Sequence, residues 1–262
     1  MKRIFFFISF FTTVLNTITA QNISIMPKLG TSISHAYQVE QTIGGSWFGV
    51  TKEDNKTSTT GLTGGVAVNI TLSRIFSFQP ELLYIQKGYT TNTVQDTIYK
   101  TSYSRKISYM EMPLLVKASY NIGKLKLHAI AGPSLAFALG GNYKDQSEYL
   151  GKTTSGSGTI YFKSWPAGYN GNNQYYTAAD HNRVDIGLQF GGGVGYELGP
   201  GTIILDARYG IGLINFERKL NNGNPGSYPF NNVSKFRAFT ITLGYSIPLH
   251  KNLVQNRNTS PH

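Results

Sequence analysis

Hydrophobic residues recur at every second position along most of the chain. The clearest example starts at Val184, where apolar residues alternate with small or charged ones for fifteen positions. After Gly199-Pro200-Gly201 the same alternation resumes and runs to Leu213. A period of two is typical of β-strands, and Pro and Gly between two such runs are typical of a tight turn. The stretch is therefore predicted to be a β-hairpin.

The polar face of this hairpin is rich in glycine. This composition helps to decide whether the apolar face meets lipid or the protein core. In a soluble sandwich or lipocalin-like barrel the polar face would meet solvent, where a run of glycines costs backbone entropy without a gain. In a small membrane barrel the apolar face meets lipid and small side chains are favoured inside, where eight strands enclose little room. The second interpretation explains the glycines better; on this face they are Gly187, Gly191, Gly193 and Gly195.

Eight segments of the chain alternate in this way. Their predicted outer rows run over residues 23–29, 62–72, 76–84, 110–118, 125–137, 184–198, 203–213 and 239–249. An even number of alternating segments, each long enough to cross a bilayer, predicts an all-β protein: an eight-stranded, antiparallel, up-and-down transmembrane β-barrel.

The predicted connections between these strands alternate in length. Those near Arg74, Gly123 and Pro200 are short, whereas those over residues 35–60, 89–104, 140–182 and 215–235 are long. Short periplasmic turns, long extracellular loops and periplasmic termini are the layout of bacterial outer-membrane barrels. We therefore expect the protein to lie in the outer membrane of a Gram-negative cell, in contact with its lipid and lipopolysaccharide.

Three prolines fall inside predicted strands, namely Pro80, Pro113 and Pro133. Each removes one backbone donor from the sheet. We therefore expect β-bulges or local bends at these positions.

The N-terminus has the three-part layout of a secretory signal. Lys2-Arg3 precedes an apolar run that ends at Leu15, and Ala20 follows at the expected cleavage position. The predicted organisation is a signal peptide over residues 1–20, a barrel over 21–249 and a polar periplasmic tail over 250–262.

Composition narrows the class of protein further. The chain has 262 residues, no Cys and a net charge of +11, which becomes +9 when Lys2 and Arg3 leave with the signal peptide. Its Lys and Arg residues are dispersed over loops and tail, and no basic helix or stacking module accompanies them, so nucleic-acid binding is not expected. Outside the N-terminus no run approaches eighteen apolar residues, which excludes a helical membrane protein.

The predicted inward row carries many charges, which we expect to form a salt-bridged filling. They are Lys28, Glu81, Lys87, Glu111, Lys117, Asp185, Glu197, Asp206, Arg208 and Arg237. Of these, we expect the central lumen network to consist of Lys28, Glu81, Glu111, Lys117, Asp206 and Arg208.

A register assumption brings two of these acids together. If the connection after the third strand closes near Gly88 and Arg105, Glu81 lies opposite Glu111. Two adjacent carboxylates need a cation or a shared proton, and mid-strand Lys28 and Arg208 are the expected bridging cations. Paired carboxylates also serve as general acid and base in glycosidases, but a structural network is favoured here because a polymer cannot enter so small a barrel.

Other candidate chemistry is sparse. The five histidines are scattered without metal-ligand spacing, so no metal site is expected, and no G-x-S-x-G motif or dinucleotide-binding loop predicts a catalytic or cofactor site. Asp180-His181 could serve a hydrolase or acyltransferase, although a solvated loop pair is favoured.

The third long loop is rich in Gly, Ser, Asn and aromatic residues. A mobile loop is the simplest interpretation. Aromatic rings beside Asn and Gly could also bind a sugar or a partner protein, and the candidate residues are Trp165, Tyr169, Tyr175 and Tyr176.

Several motifs follow one another along the predicted strands: Phe78-Gln79-Pro80-Glu81-Leu82-Leu83-Tyr84 with Lys87-Gly88, then Tyr109-Met110-Glu111-Met112-Pro113-Leu114-Leu115-Val116-Lys117, then Ala131-Gly132-Pro133 and the Gly-rich sixth strand. These motifs resemble those of the PorT-like outer-membrane β-barrel family of Bacteroidota. The resemblance covers essentially the whole mature chain and lies in the order of the motifs. It implies an eight-stranded outer-membrane barrel whose namesake is associated with protein export.

These observations favour a non-enzymatic outer-membrane barrel that acts through its outer loops or as an accessory subunit of an export or uptake complex. A narrow channel for small solutes is the second hypothesis, and an outer-membrane hydrolase or acyltransferase is the third. No cofactor is expected.

Overall fold

The fold is taken from a computed structural model of the chain. It describes residues 23–39, 53–95, 99–160, 162, 169–170, 174–175, 182–216 and 233–249. The predicted signal peptide, the predicted tail, Trp165, Tyr176 and Asp180-His181 lie outside these ranges. None of the described segments forms a helix that is long and apolar enough to cross a membrane.

The described secondary structure consists of eleven strands. They are β1 (Ile23–Val39), β2 (Glu53–Thr71), β3 (Phe76–Gln95), β4 (Tyr99–Ile122), β5 (Leu125–Tyr149), β6 (Lys152–Thr159), β7 (Tyr169–Asn170), β8 (Gln174–Tyr175), β9 (Val184–Leu198), β10 (Gly201–Gly212) and β11 (Val233–Pro248). β7 and β8 pair only with each other, through Tyr169 opposite Tyr175 and Asn170 opposite Gln174.

Eight strands close into a ring in which every neighbouring pair is antiparallel. The order is β4-β3-β2-β1-β11-β10-β9-β5, and pairing between β4 and β5 completes the circle. β6 pairs with the end of β5 and lies outside the ring. The predicted eight-stranded antiparallel barrel is thus confirmed.

The two faces of the wall differ in polarity as the alternation predicts. Leu205 on β10 is 46% exposed whereas its neighbour Asp206 is 1% exposed, and on β5 Leu135 and Phe137 are exposed on either side of buried Ala136. Apolar side chains cover the outside of the ring at the level of these residues. We call this surface the belt. A continuous apolar belt of this kind is favourable in lipid and unfavourable in water.

Three short turns lie at one end of the barrel, called the turn end. Residues 72–75 connect β2 to β3, Gly123 and Lys124 connect β4 to β5, and Gly199 and Pro200 connect β9 to β10. Gly123 and Gly199 both have a φ of 61°, a conformation that glycine adopts without steric cost. The first residue of β1 and the last of β11 lie at the same end, since both pair with strands that begin or end there.

At the opposite end, several segments that were predicted to be loops are strands. β3 and β4 stay paired up to Gln95 and Tyr99, so the predicted loop over residues 89–104 is wrong. β5 also continues to Tyr149 and folds back as β6, within the predicted loop over 140–182. These parts are rich in Thr and Tyr, which favour strands, and in Ser, and together these residues give no apolar period. Residues 53–58, 86–95, 99–108, 140–149 and 152–159 together form a sheet called the extension below.

The expected bulges at the three prolines are also wrong. Register shifts in the described ladders lie instead between Ser58 and Thr63 and between Ser108 and Tyr109. Each proline interrupts the pairing with one neighbouring strand but remains paired with the strand on its other side. The retained pairs are Pro80–Leu114, Pro113–Ser134 and Pro133–Leu188. A strand in the wall donates to two neighbours through alternate residues, so a missing N–H affects only one side.

Candidate functional site

The lumen is the candidate functional site, because the buried polar side chains converge there. Lys28, Glu81, Lys117 and Asp206 each lie five residues from the turn-end residue of their strand, and all four are buried. They come from β1, β3, β4 and β10. With the side chains that contact them they form one group, the lower cluster, which consists of Lys28, Glu81, Lys117, His128, Asp206 and Arg208.

Glu81 is the centre of the lower cluster. Arg208 donates from Nη1 and Nη2 to Oε2 and Oε1 of Glu81 at 2.6 and 2.8 Å, a bidentate pair. Lys28 Nζ lies 3.3 Å from Oε1 of Glu81, and Gln79 Nε2 donates to that same oxygen at 2.6 Å. Charge-assisted bonds of this geometry compensate the desolvation of a buried carboxylate.

Asp206 is held by three partners in the same cluster. Lys28 Nζ lies 2.9 Å from Oδ2 and Arg208 Nη2 lies 2.8 Å from it, while His128 Nε2 lies 2.5 Å from Oδ1. Lys28 and Arg208 therefore each contact both carboxylates, and these two cations balance these two acids.

His128 is a member of the site that sequence reasoning missed. It faces Gly193 across the β5–β9 ladder. A Cβ on Gly193 would lie 2.8 Å from His128 Cε1 and 2.9 Å from Asp206 Oδ1. The glycine therefore provides the space that the His128–Asp206 contact occupies, and an inward histidine opposite an inward glycine was the available signal.

A second group of charges, the upper cluster, lies farther from the turn end and consists of Lys87, Glu111 and Asp185. Lys87 Nζ is 3.2 Å from Glu111 Oε1 and 4.0 Å from Asp185 Oδ2, and it lies 5.4 Å from the centre of the Tyr109 ring. Across both clusters the described cations and carboxylates number four each. Their distribution is uneven, because the lower cluster has one surplus cation and the upper cluster one surplus acid.

The predicted contact between Glu81 and Glu111 is wrong. Leu83, not Glu81, lies opposite Glu111, and the two acids belong to different clusters. In the observed ladder Gly88 lies opposite Lys106 and Leu83 opposite Glu111, so the register differs from the assumed one. Lys28 and Arg208, the expected bridging cations, do contact Glu81. The partner of Glu111, however, is Lys87.

One other member of the predicted inward row is placed differently, and another lies at the open end of the lumen. Arg237 lies on the outer face, with its guanidinium 4.1 Å from the centre of the exposed Tyr37 ring. Glu197 is exposed at the turn end, where it forms a 3.0 Å ion pair with Lys126.

Buried apolar side chains surround the upper cluster and fill the lumen beyond it. The largest of them pack together: the Phe216 and Phe236 rings stack at 4.6 Å, the Tyr89 ring is tilted against Phe236, and the Tyr109 ring meets Phe236 edge-on. This group also includes Ala36, Ile85, Ile107, Ala136, Ala138 and Ile160. The sequence interpretation anticipated charges only, and it did not anticipate this apolar plug.

The lumen has a cavity at the turn end, with a volume of about 460 Å³. Lys117 and Gln79 line it on the side of the lower cluster, and Arg74, Lys126 and Glu197 line it near the turns. Within the described ranges, no group of three or more His, Asp or Glu side chains has an arrangement that could hold a metal ion.

Tyr169 and Tyr175 are the two predicted loop residues whose backbone is described, and they face each other in the β7–β8 pair. Their partners in that prediction, Trp165 and Tyr176, lie outside the described residues. The predicted loop surface therefore stays a prediction.

One comparison with known proteins identifies a family. A family model described as outer membrane protein beta-barrel domain matches residues 19–218. A search of curated proteins finds no significant match.

Among solved structures, the chain is similar to the outer membrane protein OprG from Pseudomonas aeruginosa, with 10% identity, a TM-score of 0.43 and coverage of 88% of this chain and 97% of that one. It is similar to the outer membrane protease OmpT from Escherichia coli, with 11% identity, a TM-score of 0.45 and coverage of 88% and 99%. It is also similar to the attachment invasion locus protein Ail of Yersinia pestis, with 11% identity, a TM-score of 0.30 and coverage of 87% and 100%.

Proposed function

Because the chain belongs to the outer membrane protein beta-barrel domain family and is an outer-membrane β-barrel, we propose that it is a non-enzymatic membrane anchor with a closed lumen. In this proposal it acts through the extension, as an accessory subunit of an export or uptake complex. The single observation that carries the proposal is the filled lumen, which leaves the outer surfaces of the protein as its means of action.

Two successive obstacles support a closed lumen. The lower cluster joins side chains of β1, β3, β5 and β10 through contacts of 2.5 to 3.3 Å, so it crosses the lumen from wall to wall. The apolar plug then joins side chains of β1, β3, β4, β5 and β11 with Phe216, which follows β10. A hydrated ion would have to break the first obstacle and dehydrate at the second, and both steps are costly.

The extension supports action at one surface. It continues β3, β4 and β5 beyond the belt with polar side chains, among them Lys106, Lys144 and Gln146, which are exposed. The proposal has the turn end and both termini in the periplasm and the extension outside the cell. Short turns at one end and long structure at the other support that orientation.

The finer family assignment is part of the same proposal. We assign the chain to the PorT-like group on the order of its motifs, in which Pro80, Pro113 and Pro133 lie in three consecutive strands of the wall. The association of that group's namesake with protein export is the reason for preferring an export or uptake complex over a free-standing anchor.

The closed lumen predicts that purified protein inserted in a planar bilayer gives no steady unitary current. Insertion is verified separately, by the different gel mobilities of the folded and heat-denatured barrel after recovery from the membrane. A narrow channel would instead give reproducible unitary currents from the same preparation, and that result would overturn the closed-lumen account.

Action through the extension predicts specific contacts in cells. A photo-crosslinking amino acid at position 144 or 146 is expected to give an adduct with one discrete protein, because both side chains are exposed on the extension. The matched control is position 135, which is exposed in the belt and should give no protein adduct. An absence of adducts from 144, 146 and also 155 on β6 would contradict the proposed role of the extension.

A further inference from the structure

The cavity at the turn end combines a small-molecule volume with an unequal distribution of charge. Its volume of about 460 Å³ is within the usual range of small-molecule sites, about 300–1,000 Å³. Its charged lining consists of Arg74, Lys117, Lys126 and Glu197. Three cations and one acid give the lining a positive charge, which favours an anionic occupant.

Lys117 is the unusual member of this lining. Its residue is only 7% exposed, and it forms no hydrogen bond or ion pair within 4.0 Å with the part of the chain that the structure describes. The two carboxylates of its cluster, Glu81 and Asp206, are already engaged by Lys28 and Arg208. A buried ammonium group that lacks a direct counter-ion is costly unless water or an anion solvates it.

The other cations of the lining differ from Lys117 in accessibility. Lys126 is paired with Glu197 at 3.0 Å, and both of these side chains are partly exposed. Arg74 is in the exposed turn between β2 and β3. The arrangement thus has exposed cations near the turns, where an anion would enter, and one buried cation at the inner wall.

We propose that this cavity binds a small organic anion through a carboxylate or phosphate group that contacts Lys117 Nζ. The hydroxyl groups of Ser77, Ser119 and Thr202 line the same cavity and can donate hydrogen bonds to the anion. Met26 and Ile204 belong to a small buried apolar group in the lining and fit the carbon part of the ligand. The proposal rests on the proposed function in one respect: with the turn end in the periplasm, the anion would come from the periplasm.

The test is a titration of isotope-labelled, folded protein in detergent micelles, followed by NMR of its backbone amides. Two probes are used, inorganic phosphate and citrate, each at ionic strength matched with sodium chloride. We expect saturable shifts at Ser77, Lys117, Ser119 and Thr202, and the probe that binds more tightly identifies the preferred group. With Lys117→Met the dissociation constant should rise at least about tenfold, since a buried charge-assisted contact is lost.

A matched control is Lys106→Met on the same strand, because Lys106 is exposed beyond the belt and far along β4 from the cavity. This variant should bind as the wild type does. If Lys117→Met does not fold, Ser119→Leu fills the cavity without a change of charge and should also abolish binding. The proposal is overturned if neither probe gives saturable shifts, or if binding survives in the folded Lys117 or Ser119 variant. Both outcomes are independent of conductance and crosslinking, which test the proposed function.

Discussion

Glu81→Gln is expected to destabilise the folded barrel by about 3–5 kcal/mol, the usual cost of removing one partner from a buried ion pair. The substitution keeps the shape of the side chain but removes its charge. Arg208 would lose its bidentate partner, Lys28 would keep only Asp206, and the surplus positive charge of the lower cluster would increase.

The measurement is equilibrium unfolding in urea, with the folded fraction read from gel mobility or intrinsic fluorescence. The matched control is Glu197→Gln, the same change in a partly exposed pair with Lys126, which should cost less than about 1 kcal/mol. Equal effects of the two substitutions would show that the lower cluster does not contribute to stability as its burial implies.

Leu243→Arg is expected to cost about 2–4 kcal/mol, because an arginine is placed in the middle of the lipid-facing row of β11. Leu243 is 57% exposed and lies between the outward-facing Leu29 of β1 and Leu205 of β10. Its surroundings on the wall are therefore apolar on both sides.

The comparison is with Leu249→Arg, which places the same side chain just beyond the end of β11 at the turn end. There the cost should fall to about 0–1 kcal/mol, since depth in the bilayer sets the penalty. Unfolding titrations in lipid vesicles would give both values. If Leu243→Arg were tolerated as well as Leu249→Arg, the exposed apolar row would not be the surface that meets lipid.

The alternation of the sequence was sufficient to predict the barrel but not its height. Rows such as Phe239, Ile241 and Leu243 identify both the strand and its outer face, because period two and apolarity coincide there. In the extension, strand geometry is not accompanied by an apolar row. Thr90, Thr91 and Ser102 favour or tolerate strand geometry, yet they give no apolar signal that distinguishes a paired strand from a polar loop.

Partners within the lumen were harder to predict than its members. Inward position follows from local parity, and so Lys28, Glu81, Asp206 and Arg208 could be proposed from sequence. Which acid meets which cation depends on the register of distant strands, and an error of two residues in the β3–β4 hairpin moved Glu111 away from Glu81.

The apolar plug and His128 illustrate a different limit. Phe236 is an ordinary aromatic residue at the level of sequence, and its role depends on Phe216, which follows another strand. His128 is likewise unremarkable until β5 is placed beside Gly193 and across from Asp206. Both cases rest on contacts between segments that are far apart along the chain.

The continuity of β3 through the belt and the extension determines how far from the bilayer a bound protein would be held. From Tyr84 at the edge of the belt to Gln95 is eleven residues, or about 36 Å of strand at ~3.3 Å per residue. With a typical barrel tilt, the tip would stand roughly 25–30 Å above the lipid. Because this part of the strand is already ordered, a protein that binds at the tip as proposed would cost the barrel little conformational entropy and would lie at a fixed distance from the bilayer.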